Sequence, residues 1–278
     1  MQQQSIAKLA VPGVFSPDRT LFPSGRAVYV VLPSGTKLVC PGKKPTHAHF
    51  ITTGTVSVTI PMKNGDSPEI CMLGPGDVPE ASELLGDSFY ARSIEMRTAG
   101  VALRVRLDVL RDAVLSDSFL RASLLENLQV QYQQVDQIAA CSRVHSVECR
   151  LARYLLMLED REGTNGLAVT QNCIARALGV RRTSVTLIAG QLLQRGMIRS
   201  RRGVTWITDR KALEAVACEC YSATKRLVPH RRAVSPPVAS TLPSTDAREH
   251  VDMSGRQRTP LTPGDCDGYV PYRASKAR

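Results

Sequence analysis

From Asp108 to Glu162 the chain runs 55 residues without a glycine or a proline, whereas from Leu21 to Arg106 these two residues recur every few positions, in PSG, PGKK, KNGD and GPGD. Glycine and proline interrupt helices and set turns, so the contrast divides the molecule into two kinds of structure. The first stretch breaks into short β-branched runs, AVYVVL, THAHFITTGTVSVTI, EICML and VALRVRL. Such runs read as an antiparallel barrel or sandwich. Asn64 and Gly65 between two of them predict a hairpin turn.

The second stretch reads as helix. Leu124, Leu128, Gln131, Val135, Ile138, Ser142 and His145 fall at alternating four- and three-residue steps. That heptad seam predicts one long helix from about Asp108 to Arg143, pairing with its copy in a second subunit; the alternative is a helix lying on its own β-domain. A further helix, HSVECRLARYLLMLEDREG, sets Val147, Leu151, Leu155 and Leu158 on one face and stops at Gly163. MIRSRRGVTWITD predicts two short strands turning at Arg202 and Gly203, and DRKALEAVACECY a last helix capped by Asp209. Beyond Tyr221, seven prolines in 57 residues with little periodicity predict a disordered basic tail.

The charge is concentrated. Residues 1–142 carry 13 Lys and Arg against 13 Asp and Glu, while residues 143–211 carry 13 against 5, most of the total of +11. A basic segment of that size points to a polyanion partner, with a merely solvated basic face as the alternative. No apolar run approaches the roughly 18 residues of a spanning helix, and MQQQSIAKLAVPG lacks the features of a signal peptide. A cytoplasmic protein without membrane contact is expected. Eight cysteines, Cys40, Cys71, Cys141, Cys149, Cys173, Cys218, Cys220 and Cys266, form no CxxC pair, and in a reducing compartment most are expected to be free thiols.

Inside the basic segment lies TQNCIARALGVRRTSVTL, residues 170–187. Thr170 can cap a helix whose Ile174, Ala175 and Leu178 share a face, and Gly179 can end it in the left-handed conformation. A second helix over 181–194 buries Val185, Ile188 and Leu192, which turns Thr183, Thr186 and Leu187 outward and leaves Arg181 and Arg182 at the exposed N-terminal end. This is a helix-turn-helix pattern, and the leading end of its second helix is the part that meets DNA. Arginine reads guanine or holds phosphate, and hydroxyls suit phosphate oxygens. A packed helical hairpin with a solvated basic end is the competing reading.

The order of short-stranded barrel, long helix, helix-turn-helix and two-stranded wing over roughly residues 20–221 resembles the Crp/Fnr superfamily of bacterial transcription regulators. The most specific match is TQNCIARALGVRRTSVTLIAGQLLQRGMIRSRRGVTWI. The resemblance implies an α+β chain with a jelly-roll sensor barrel similar to cyclic-nucleotide-binding domains (21–107), a dimerisation helix (108–145) and a winged helix-turn-helix (146–221), set between an N-terminal arm (1–20) and the disordered tail (222–278). It implies a homodimer on a two-fold symmetric operator in double-stranded DNA, with RNA polymerase as a further candidate partner. DNA contacts are expected from Thr170, Gln171, Arg181, Arg182, Thr183, Ser184, Thr186, Leu187, Arg201 and Arg202. Two departures matter: Thr183 stands where the family has a base-reading glutamate, and Leu187 where it has an arginine. Their methyl groups could meet thymine instead.

For the sensor, Arg92 and Ser93 resemble the pair that holds phosphate in nucleotide-binding relatives, but VPEASELL lacks the Gly-Glu step for the ribose. No cysteine cluster for an iron-sulfur centre precedes Cys40. Cys218 and Cys220 show a CxC spacing without an evident ligand pair beside it, and His47 and His49 share one side of a strand without a third ligand. Neither a cofactor nor a metal is expected, and no catalytic arrangement stands out, so the chain is not expected to be an enzyme. Two further readings stay open: a ligand-gated regulator with an unidentified small effector in the barrel, and a protein-interaction module whose helix-turn-helix has lost DNA binding.

Overall fold

The computed structural model describes residues 26–86, 91–163 and 166–227. Seven strands make the first unit: β1 (Ala27–Leu32), β2 (Lys37–Val39), β3 (His47–Thr53), β4 (Val56–Thr59), β5 (Glu69–Leu73), β6 (Ser93–Met96) and β7 (Gly100–Arg106). They form two antiparallel sheets, β1-β7-β3 and β2-β6-β4-β5, of a jelly-roll barrel. Ile51, Val56, Leu73, Ile94, Met96 and Ala102 fill its interior. The run 46–60 becomes two strands in different sheets because Gly54, at φ 88°, turns the chain where it crosses Gly100. A Cβ on Gly100 would fall 2.0 Å from the Thr53 carbonyl oxygen, so nothing larger fits the crossing. The predicted hairpin joins β4 to β5, with Gly65 at φ 87° and the Asn64 side chain accepting from the Asp66 amide at 3.1 Å.

The long helix departs from expectation twice. It is two helices, α1 (Leu107–Ser116) and α2 (Ser118–Val144). The break falls at Asp117, whose carboxylate accepts from the amides of Phe119 at 2.9 Å and Leu120 at 3.0 Å, an N-cap inside a stretch that only lacked glycine and proline. The second correction concerns the seam: its first half faces the chain's own barrel. Leu124 is buried with Phe50 and Leu103, Leu128 packs on the same cluster, and Val135 packs on the barrel interior. Asn127 Oδ1 accepts from the Val78 amide at 3.2 Å, and Gln131 donates to the Val78 carbonyl at 3.0 Å. Gln131, the first polar interruption of the heptad, and Asn127 beside the seam thus fasten α2 to the barrel loop at residues 76–78.

The second unit comprises α3 (Val147–Glu162), β8 (Leu167–Ala168), α4 (Gln171–Leu178), α5 (Arg182–Gln194), β9 (Ile198–Arg201), β10 (Val204–Ile207), α6 (Arg210–Val216) and α7 (Cys220–Leu227). α3 is buried on every side from Arg150 to Leu158, because the helix-turn-helix covers one face and the barrel another. Met72 of β5 belongs to the same core as Leu151, Leu155 and Ile174, and the Arg97 guanidinium, paired with Glu69 at 2.9 Å, lies over the Tyr154 ring at 5.4 Å. The wing gains a third strand, in the order β8-β10-β9. The predicted last helix is also two: Asp209 caps α6 as expected, accepting from Ala212 N at 2.9 Å, but α6 ends at Val216, and α7 runs to Leu227, past the expected start of the tail. The N-terminal arm and residues 228–278 of the tail lie outside the described residues.

Candidate nucleic-acid interface

The helix-turn-helix is built as the local signals require. Thr170 caps α4 by accepting from the Cys173 amide at 3.2 Å, and Gly179 closes it at φ 62°, ψ 42°. Arg150 donates to the Leu178 carbonyl, so a buried guanidinium satisfies the negative end of α4. Val185 and Leu192 of α5 are fully buried and Ile188 packs on the same core. Arg181, Arg182, Thr183, Thr186 and Leu187 are exposed, Leu187 by 66%, and Ser184 is half-buried.

Two contacts join these residues into one face. Thr186 Oγ1 donates to Gln171 Oε1 at 2.7 Å, which ties the second turn of α5 to the first turn of α4. A Cβ on Gly203, at the wing tip, would lie 3.6 Å from Thr170 Cγ2. The start of α4 therefore sits between the recognition helix and the β9–β10 turn that carries Arg201 and Arg202. Neither α4 nor α5 has an acidic residue in its first turn, and α5 has no side-chain cap either, so the positive end of α5 is open to an anion. Arg199 extends the face, lying over the Trp206 ring at 4.8 Å.

The structure also sorts the basic residues. Arg150 and Arg153 are buried, Arg195 pairs with Glu148 at 2.7 Å, and Arg210 holds Glu159, Asp160 and Glu214 together. These are structural cations. The cations of the candidate face are Arg181, Arg182, Arg199, Arg201 and Arg202, all exposed.

The barrel offers less. Arg92 is exposed, whereas Ser93 is buried in β6 with its hydroxyl accepting from Lys37 Nζ at 3.3 Å. Glu80, fully buried in VPEASELL, is consumed by His49: its carboxylate accepts from the His49 amide at 2.9 Å and meets Nδ1 at 2.8 Å. Asn127 donates to Asp77 at 3.1 Å beside it. These polar side chains satisfy one another, whereas Arg161 Nε and Gln134 Nε2 are buried without a hydrogen-bond partner. His47, half-buried, contacts Thr46 Oγ1 at 2.9 Å, and burial followed by the Arg104 charge lowers its pKa.

One expectation fails on geometry. Cys218 and Cys220 do have a ligand pair beside them: Cys141 and His145 at the end of α2, with all four ligand atoms within 4.8 Å of one another. The signal is present in the sequence as an i, i+4 pair on one helix face, but the heptad seam runs through the same turn and masks it. Burial pushes the Cys141 thiol up to about 12 and raises Cys218 as well.

Two family models match the chain: a cyclic nucleotide-binding domain over residues 29–117 and a Crp-like helix-turn-helix domain over residues 149–216. No curated protein matches it. Among solved structures, a CRP-family transcriptional regulator from Thermus thermophilus is similar at 22% identity over 68% of this chain and 96% of that one, with a TM-score of 0.60. FixK2 from Bradyrhizobium japonicum is similar at 16% identity over 69% and 98%, with a TM-score of 0.60. The c-di-GMP-responsive global regulator CLP from Xanthomonas campestris follows at 16% identity over 66% and 94%, with a TM-score of 0.57. At these identities the structural likeness speaks for the fold.

Proposed function

The chain belongs to the Crp/Fnr superfamily of DNA-binding transcription regulators, and from that premise we propose that it acts as a homodimer on a two-fold symmetric operator, reading each half-site with α5. The observation that carries this reading is the single cationic face formed by the first turn of α5, the start of α4 and the wing tip. Arg182 is the expected base reader, Thr170, Gln171, Ser184 and Thr186 the backbone contacts, and Arg181, Arg201 and Arg202 phosphate clamps. Thr183 and Leu187 present methyl groups that suit thymine.

The dimer contact moves to a different stripe of α2 from the seam read in the sequence. Ala122, Leu125, Gln129, Tyr132 and Ala139 recur at three- and four-residue steps or their sum on the exposed side, with Leu125 52% and Tyr132 68% exposed. Large apolar side chains left open on a long helix support pairing with a second copy. A regulator of chromosomal DNA works in the cytoplasm, with RNA polymerase as the partner through which it changes transcription once bound. On this reading the chain performs no covalent chemistry. No helix among the described residues is long and apolar enough to cross a membrane.

Selection of fragments from a random DNA pool by the purified, effector-free protein tests the proposal. A palindrome with half-sites about one helical turn, roughly 34 Å, apart is the expected result. Absence of enrichment, with and without added cell extract, would overturn it. A ligand-gated version draws support from the match of the barrel to cyclic nucleotide-binding domains. It predicts enrichment only when extract is added.

A further inference from the structure

Four side chains that the sequence spreads over eighty residues meet where α2 ends and α7 begins. Cys141 lies in the last turn of α2 and His145 is its C-cap residue, four positions on and so on the same face. Cys218 and Cys220 flank Glu219 at the start of α7. Cys141 Sγ is 3.6 Å from Cys218 Sγ, and Cys220 Sγ is 3.6 Å from His145 Nδ1. For a tetrahedral zinc ion with Zn–S near 2.3 Å and Zn–N near 2.0 Å, the ligand edges come to about 3.8 Å for S···S and about 3.5 Å for S···N. These two edges match one central atom, and with all four ligand atoms within 4.8 Å of one another the site is too small to enclose a multi-iron core.

The surroundings fit as well. His145 Nε2 points at Glu219 Oε1, 3.3 Å away. That carboxylate accepts the Nε2 hydrogen bond, the outer partner that metal-bound histidines ordinarily have, and leaves the Nδ1 lone pair on the side of Cys220 Sγ. Gln137 Nε2 donates to Cys220 Sγ at 3.0 Å, which suits a thiolate better than a thiol. All three cysteines are buried, and they form a cluster of their own with only Cys149 packed against it. Zinc with three thiolates and a neutral imidazole carries a net −1, and the buried Arg153 lies close enough to Cys141 to act on it electrostatically.

We propose that Cys141, His145, Cys218 and Cys220 hold one structural zinc ion, with Glu219 as the outer acceptor for the histidine. Three protein sulfurs and one nitrogen close the coordination sphere, which is the form of a structural rather than a catalytic site. Binding releases the three thiol protons to solvent. The ion staples α7, the last described element of the DNA-binding unit, to the end of α2, across the hinge at residues 145–146 that leads into α3. It would fix the angle between the long helix and the helix-turn-helix independently of the core packing, and the site does not depend on the DNA reading.

The test uses the full chain purified under reducing conditions without chelator. Elemental analysis should find about one zinc per chain, retained on dialysis. Cys141→Ser and Cys220→Ser should lose it, and Cys173→Ser, an exposed thiol in α4, should keep it. Because loss of metal in the first two variants could also follow from misfolding, the wild-type protein exchanged into cobalt gives a second readout: tetrahedral visible bands with thiolate-to-cobalt charge transfer in the near ultraviolet. Stripping the metal should lower Tm and open three further thiols to alkylation. Reduced wild-type protein that takes up neither zinc nor cobalt, or whose cysteines alkylate equally fast with and without zinc, would overturn the assignment, as would a Cys141–Cys218 disulfide that survives reductant.

Discussion

The proposed DNA face and the Glu80 side of the barrel carry their polar residues in opposite ways. On the face, Arg181, Arg182, Thr183, Arg201 and Arg202 are exposed, and the first turns of α4 and α5 bring no acid to meet them. In the barrel, Glu80 is spent on His49, Asn127 on Asp77 and the backbone at 76–78, and Gln134 accepts from Cys71. A surface that recognises an external polyanion must leave its groups unpaired until the partner arrives. Where pairing is complete, as at Glu80 and His49, the groups are part of the fold, while Gln134 Nε2, Thr52 Oγ1 and Arg161 Nε are buried without a hydrogen-bond partner. The difference separates the proposed site from the Glu80–His49 and Asn127–Asp77 pairs, although the barrel is the region whose family model is named for binding.

The sharpest way to break the comparison is to remove Glu80. Glu80→Ala leaves the buried His49 amide and ring without their acceptor and should cost about 3 kcal/mol, seen as a large drop in Tm, while the operator preferred by the surviving folded protein stays the same. If stability held and operator binding vanished, Glu80 would be part of a functional site and the contrast would fail. Next in size is Arg182→Ala, which should leave stability within about 0.5 kcal/mol of the parent and reduce discrimination between operator and random DNA by about 10- to 100-fold. Loss of affinity for all sequences alike would make Arg182 a phosphate clamp instead. Asp117→Ala comes third. Removing the cap between α1 and α2 should destabilise by about 1 kcal/mol in denaturant titration with no change in DNA preference. A neutral result would mean that the helix break is held by packing on the barrel alone.

The same division explains what could be read from the amino-acid order. The helix-turn-helix is written within about 25 residues: Thr170, Gly179 and the spacing of Val185, Ile188 and Leu192 each act on their own neighbourhood, and the structure places all of them as the spacing requires. The barrel strands were legible from their punctuation. What escaped depends on partners far along the chain. A heptad seam has the same period whether it covers a second helix or the barrel beneath it, so Leu124, Gln131 and Val135 could not declare their partner. Asp117 was hidden because a cap needs no glycine or proline. Cys141 and Cys218 stand 77 residues apart, and only the return of α7 along α2 brings them together.

The smallest effect bears on how the DNA face holds its shape. Among the described residues every left-handed backbone position is a glycine except Arg202, at φ 48°, which with Gly203 at φ 80° forms the two-residue turn between β9 and β10. Positive φ at both central positions is the geometry that favours Asn-Gly, and a side chain as long as arginine is there at a conformational cost of roughly 1 kcal/mol. Arg202→Asn should therefore stabilise the wing by about a few tenths of a kcal/mol. It also removes one phosphate contact per subunit, so the slope of log affinity against log salt should become shallower by about 2 for a dimer. Higher stability with a shallower slope would mean the arginine is kept for its charge against the preference of the turn. Higher stability with an unchanged slope would remove the wing tip from the DNA face and leave recognition to α4 and α5.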